Sequence, residues 1–251
     1  STGASLKGNS GAFLVGSGQS TSGRGGTISV TVGSGNSGSG GDVVFTAGGT
    51  SDSSLGNAVG GHIYMSAGTS SSQTGGRVLI RSGVSTDQTS GALGVVTADS
   101  GANGVSGYMV LSTGLSKNGN SGGMYIGSGT ASSGRGGSVY VTVGSGNSGA
   151  GGELILSGGN SPVHSGGRVV IQTGTGSTTT SGSLYVSTAD SGASGVSGYV
   201  VMSTGVSLKG NSGAFLVGSG ESTSGRGGMI SVTVGSGNSG SGGDVVFTAG
   251  G

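Results

Sequence analysis

A chain of 251 residues with 66 glycines, 30% hydrophobic and 7% charged residues, and a formal net charge of +1 has no field to gather nucleic acid or anionic lipid. Lacking cysteine, it has neither a disulfide scaffold nor a thiolate metal site, which leaves its redox compartment open. Simple glycine/serine disorder is excluded because the apolar residues are periodic and rich in β-branched types, and collagen because glycine does not recur every third residue and Pro162 is the only proline.

From the N-terminus onward one unit is repeated. A Ser-Gly or Gly-Gly anchor opens a six-residue run of alternating apolar residues, closed by Gly or Ala. The second anchor residues are Gly11, Gly26, Gly41, Gly61, Gly76, Gly91, Gly107, Gly122, Gly137, Gly152, Gly167, Gly182, Gly198, Gly213, Gly228 and Gly243. Twelve of the fifteen intervals are 15 residues, two are 16, and the one from Gly41 to Gly61 is 20. Fixed self-similarity marks an array whose units must stack to bury an apolar face. A longer period overlies it: residues 1–49 return at 203–251 with three changes (Ala4 to Val206, Gln19 to Glu221, Thr27 to Met229), and 97–114 return at 188–205. That second offset of 91 residues is six units, five fifteens and a sixteen. The chain starts at Ser1 without Met and stops inside a repeat. The expectation is a single continuous array over 1–251, a window of a longer repeat protein.

Within a run, position two is always apolar (Phe13, Ile28, Val43, Ile63 and onward to Val245), and position four follows it (Val15, Val30, Phe45, Met65, Ile80). Position six is small or short: Ser17, Val32, Ala47, Thr113, Thr173. A period of two with β-branched residues predicts a strand with positions two, four and six on its buried face. Glycine at position seven permits a positive φ and a sharp turn. The next eight residues read as a return arm, which in 19–26 and 34–41 holds no large apolar side chain. Asn precedes Ser repeatedly there (Asn9, Asn36, Asn120, Asn147, Asn160, Asn211, Asn238), and Asn suits left-handed turns. The predicted fold is all-β: a parallel β-solenoid (β-helix) with about 15 residues per coil, about 16 coils and a six-coil super-repeat, rising about 4.8 Å per coil into a rod roughly 75–80 Å long. An antiparallel meander is the alternative, disfavoured by its eight-residue connections.

In-register stacking would set equivalent positions side by side. At position one, Asp42, His62 and Arg77, and then Glu153 and Arg168, form an opposite-charge ladder that would fix register. Arg24, Arg135 and Arg226 share an arm position far apart in sequence. Position three faces away from the predicted core yet is mostly apolar: Leu14, Val44, Tyr64, Leu79, Val110, Tyr125, Tyr140, Ile155, Val170, Tyr185, Val201, Leu216 and Val246. This row is a lateral-packing stripe if exposed, or internal core if an arm covers it.

No catalytic constellation is present: His62 and His164 lie about a hundred residues apart without His or Cys partners. Strings such as GSGNSG precede no helix pattern and do not read as phosphate loops. A calcium β-roll needs a regular Asp, whereas Asp99 and Asp190 occur once per super-repeat. No apolar run approaches the ~18 residues of a membrane span, and no N-glycosylation sequon occurs, although the Ser/Thr arms offer O-linked positions. The GGxVxVxxG unit with Ser/Gly arms resembles the low-complexity repeats of extracellular structural proteins, particularly of algae such as diatoms and their relatives. That resemblance covers the whole chain, is compositional and periodic, and implies a secreted fibre, sheath or flagellar-hair component. The expected function is a structural repeat protein of an extracellular filament or surface appendage, not an enzyme and without cofactor. Its partners would be other copies, end to end or laterally, with glycans as a further partner and neither nucleic acid nor a membrane span. The alternative is a surface adhesin or binding rod for polysaccharide or ice.

Overall fold

Eight glycine- and serine-rich residues between two apolar runs cost little to bend, and every described arm bends in the same place. In the computed structural model, which describes residues 2–5, 9–51 and 58–250, a bend opens five residues before every anchor from Gly26 onward except Gly61: 21–23 before Gly26, 36–38 before Gly41, 71–73 before Gly76, and so on to 238–240 before Gly243. The corresponding stretch of the twenty-residue unit, residues 52–57, lies outside the described residues. Positive φ occurs at Gly3, Gly38 and Gly210 and at no non-glycine among the described residues. The recurring Asn residues therefore take ordinary right-handed or extended backbone, contrary to the left-handed role expected of them.

Two local devices hold the bends. In one, a serine six residues before the anchor accepts a hydrogen bond from the backbone N–H three residues on. Ser70 accepts from Gln73 (3.0 Å), Ser85 from Gln88 (2.9 Å), Ser116 from Gly119 (3.1 Å) and Ser161 from His164 (3.0 Å). This is the side-chain version of a β-turn. In the two sixteen-residue units the backbone makes the same closure itself, with Gly104 N–H donating to the Gly101 carbonyl and Gly195 N–H to the Gly192 carbonyl, both at 3.2 Å. The other device is close backbone approach. A Cβ at Gly176 would lie 2.7 Å from the carbonyl oxygens of both Thr179 and Thr180, so only glycine fits there.

After the bend the chain comes back to the end of the run it has just left. At every junction from Gly26 to Gly243 the anchor sits against position six or seven of the preceding run. Seven junctions are closed by the anchor N–H donating to the position-seven carbonyl, as in Gly76 to Gly68 (2.8 Å), Gly167 to Gly159 (2.8 Å) and Gly182 to Gly174 (2.9 Å). Five others are closed by the position-six hydroxyl donating to the anchor carbonyl: Ser17 to Gly26, Thr113 to Gly122, Ser128 to Gly137, Thr188 to Gly198 and Ser219 to Gly228. The anchor is glycine because the approach is tight, a Cβ at Gly152 falling 2.6 Å from Val143 Cγ1. Closing an eight-residue loop costs about 2 kcal/mol in chain entropy beyond a constant. One hydrogen bond returns about 1 kcal/mol and one covered methyl about 0.8 kcal/mol, so an arm that makes both offsets only the length-dependent part of that cost and is weakly held.

That closure overturns the predicted architecture. Among the described residues there is no helix and no strand, so the parallel β-solenoid, its sheet and its buried face are not formed. The physical reason lies at the junction. A parallel solenoid needs each anchor above the previous anchor, about 4.8 Å away. Here each anchor is tied instead to the far end of the preceding run, about 20 Å from that run's own anchor if the run is extended. No described residue is fully buried, and Val139 and Leu154, expected in the core, are 53% and 55% exposed. The residues partly covered are those at the junctions and bends: Ala47, Ala67, Ser82, Gly158 and Thr173 at position six, and Ser85, Ser116 and Ser161 in the serine turns. The chain leaves 24,903 Å² accessible, against about 9,700 Å² for a folded monomer of its mass. Its contacts divide it into two units, Ser1–Ile126 and Gly127–Gly251, each carrying eight anchors.

Candidate interaction surface

The apolar runs are the surface with most to gain from a partner. Position-three side chains range from 64% exposed at Val170 to 97% at Tyr125. Leu14, Val44, Tyr64, Leu79, Val110, Tyr140, Ile155, Tyr185, Val201, Leu216 and Val246 lie between those limits. Position two is consistently better covered, 47–60% exposed apart from Phe13, so a trace of the expected alternation persists without a core. The stacking that would join the position-three residues into one stripe is absent with the sheet; each belongs to its own run.

The charge ladder loses its basis in the same way. Asp42, His62, Arg77, Glu153 and Arg168 are all exposed, and no ion pair links them. His62 packs instead against Tyr64 of its own run, ring centroids 5.7 Å apart and tilted by 58°. Tyr64 also lines an apolar cleft with Phe45, Ile63 and Met65, where two successive runs approach beside the twenty-residue unit. No group of three metal-ligating side chains occurs among the described residues, and no helix there is long and apolar enough to cross a membrane.

Sequence reasoning missed the turn serines. Their signal is readable once an arm is known to bend: Ser20, Ser70, Ser85, Ser116, Ser161, Ser207 and Ser222 all stand six residues before an anchor. In most other arms glycine occupies that place, as at Gly35, Gly146, Gly176 and Gly237. No family model, curated protein or solved structure matches this chain.

Proposed function

We propose that the chain is a structural repeat segment of an extracellular filament or surface appendage, working by association with further copies of itself and not by catalysis. The observation that carries this reading is the exposure of a regularly repeated apolar run in every unit. The accessible area exceeds that of a folded monomer by about 15,000 Å², and a stable interface needs only about 1,200–2,000 Å² in total. Identical runs on two copies are complementary by repetition, and charged residues, 7% of the chain, offer little opposition. The arms, closed at their bases, would set the spacing at which runs are presented.

Sedimentation of residues 1–251 over a range of concentrations tests this. Assembly into pelletable material above a threshold is expected, with the threshold raised when Tyr125, Tyr140, Ile155 and Val170 are changed together to Ser. A monomer insensitive to concentration would refute the reading.

A further inference from the structure

All six tyrosines are displayed at 86–97% exposure. Tyr64, Tyr125, Tyr140 and Tyr185 occupy position three of their runs; Tyr108 and Tyr199 occupy position one, 91 residues apart in equivalent units. Within each of the two units no two tyrosine rings touch, since the one ring contact among the described residues pairs Tyr64 with His62. The protein also has no cysteine, so it has no thiol with which to staple one copy to another.

We propose that the position-three tyrosines are sites of oxidative coupling, forming carbon–carbon phenol cross-links between copies of the chain once the copies lie side by side. The inference rests on the assembly reading above. Hydrogen peroxide, used by a haem peroxidase, is the oxidant. Each of two phenols loses one electron and its hydroxyl proton to give a phenoxyl radical, and the radicals join through the ring carbons ortho to oxygen. The two ring hydrogens at the new bond then move to the oxygens and restore the phenols. Two tyrosines and one peroxide give one dityrosine and two waters. A phenol buried in a core presents neither ring carbon to a second ring, whereas these present both.

The geometry also assigns which tyrosines link. Position three lies mid-run, among the apolar side chains that would meet a partner, while position one lies at the edge of the run beside the anchor, although Tyr108 and Tyr199 are just as exposed there. Because the tyrosines within a unit do not touch, the links expected in assembled material run between chains.

The test treats assembled chain with horseradish peroxidase and hydrogen peroxide, then resolves it on a denaturing gel and maps linked peptides by mass. Expected are a ladder of covalent oligomers, a loss of two hydrogens per link, and links at Tyr64, Tyr125, Tyr140 and Tyr185. Methionine oxidation adds oxygen without joining chains, so mass separates it. Below the assembly threshold the yield of oligomers should fall at least tenfold. A variant with all six tyrosines changed to Phe, which keeps the apolar rings, should pellet as before and give no ladder. A ladder from the Phe variant, links concentrated at Tyr108 and Tyr199, or equal yield from dilute monomer would each overturn the proposal. A chain that pellets but never links overturns the coupling alone. A chain that does not pellet overturns the assembly reading before peroxide is added.

Discussion

The arms and the runs of this protein obey different rules. An arm of eight residues finds what it needs within itself: a serine hydroxyl for the N–H three residues on, as at Ser161 and His164, or a glycine that lets carbonyls approach, as at Gly176. A run finds nothing comparable. Val139, Tyr140 and Val141 are 53%, 86% and 67% exposed, although the pattern they follow is that of a half-buried strand. Hydrogen bonds close twelve of the fifteen junctions from Gly26 to Gly243 in one copy of the chain, whereas apolar burial depends on surface the copy does not supply.

The sharpest way to break this contrast is to spoil the runs and leave the arms intact. Changing Val139, Val141, Leu154 and Leu156 together to Asp should abolish pelleting at any accessible concentration. Each lost side chain forgoes about 1.5–3 kcal/mol of burial in the assembly, and four introduced charges would be desolvated there. Arm amides in the dilute monomer should be unaffected. Loss of arm order in this variant would show that runs and arms are coupled within one chain.

A smaller effect is expected from the opposite operation. Gly176→Ala forces a Cβ against the Thr179 and Thr180 carbonyls, and the arm must open at a cost of about 1–3 kcal/mol. The Gly182 N–H would then lose its Gly174 acceptor, and its hydrogen exchange should rise to the rate of run amides. Gly174→Ala, where a Cβ meets nothing within 4 Å, is the control and should leave exchange unchanged. Smaller still is Ser161→Ala, which deletes one partly exposed acceptor worth about 0.5–1.5 kcal/mol. Exchange at His164 should quicken by a few-fold to about tenfold, with Gly167 following only weakly because its own acceptor, Gly159, is retained.

The same division explains what could be read from the sequence. The fifteen-residue unit, its anchors and the return arm were legible, because glycine and serine spacing encodes closures that span eight or nine residues in the fifteen-residue units. Asn36 and its equivalents misled, since their turns are held by neighbours and none needs a left-handed Asn. The parallel solenoid was misread for a deeper reason. Alternation at positions two and four states which side of a run is apolar, but it is equally satisfied by a cover inside the chain or outside it. The charge row from Asp42 through His62 to Arg77 carried the same ambiguity, because its pairing presumed the stacking it was meant to support. The deciding contact, anchor against position six, joins small residues such as Gly76 and Ala67 that do recur with the unit, but their spacing does not say whether an anchor meets the end of the preceding run or the preceding anchor.

A single chain has closed arms and unpartnered runs, and residue-resolved amide hydrogen exchange on the monomer, held below its assembly threshold, reads both at once. Anchor amides such as Gly76, Gly167 and Gly182 should exchange two- to tenfold more slowly than their intrinsic rates, in keeping with weakly held arms. Run amides such as Leu79, Val170 and Tyr185 should exchange at intrinsic rates. Strong protection along the runs of the isolated monomer, matching or exceeding that of the anchors, would reveal a sheet within one chain and contradict the account.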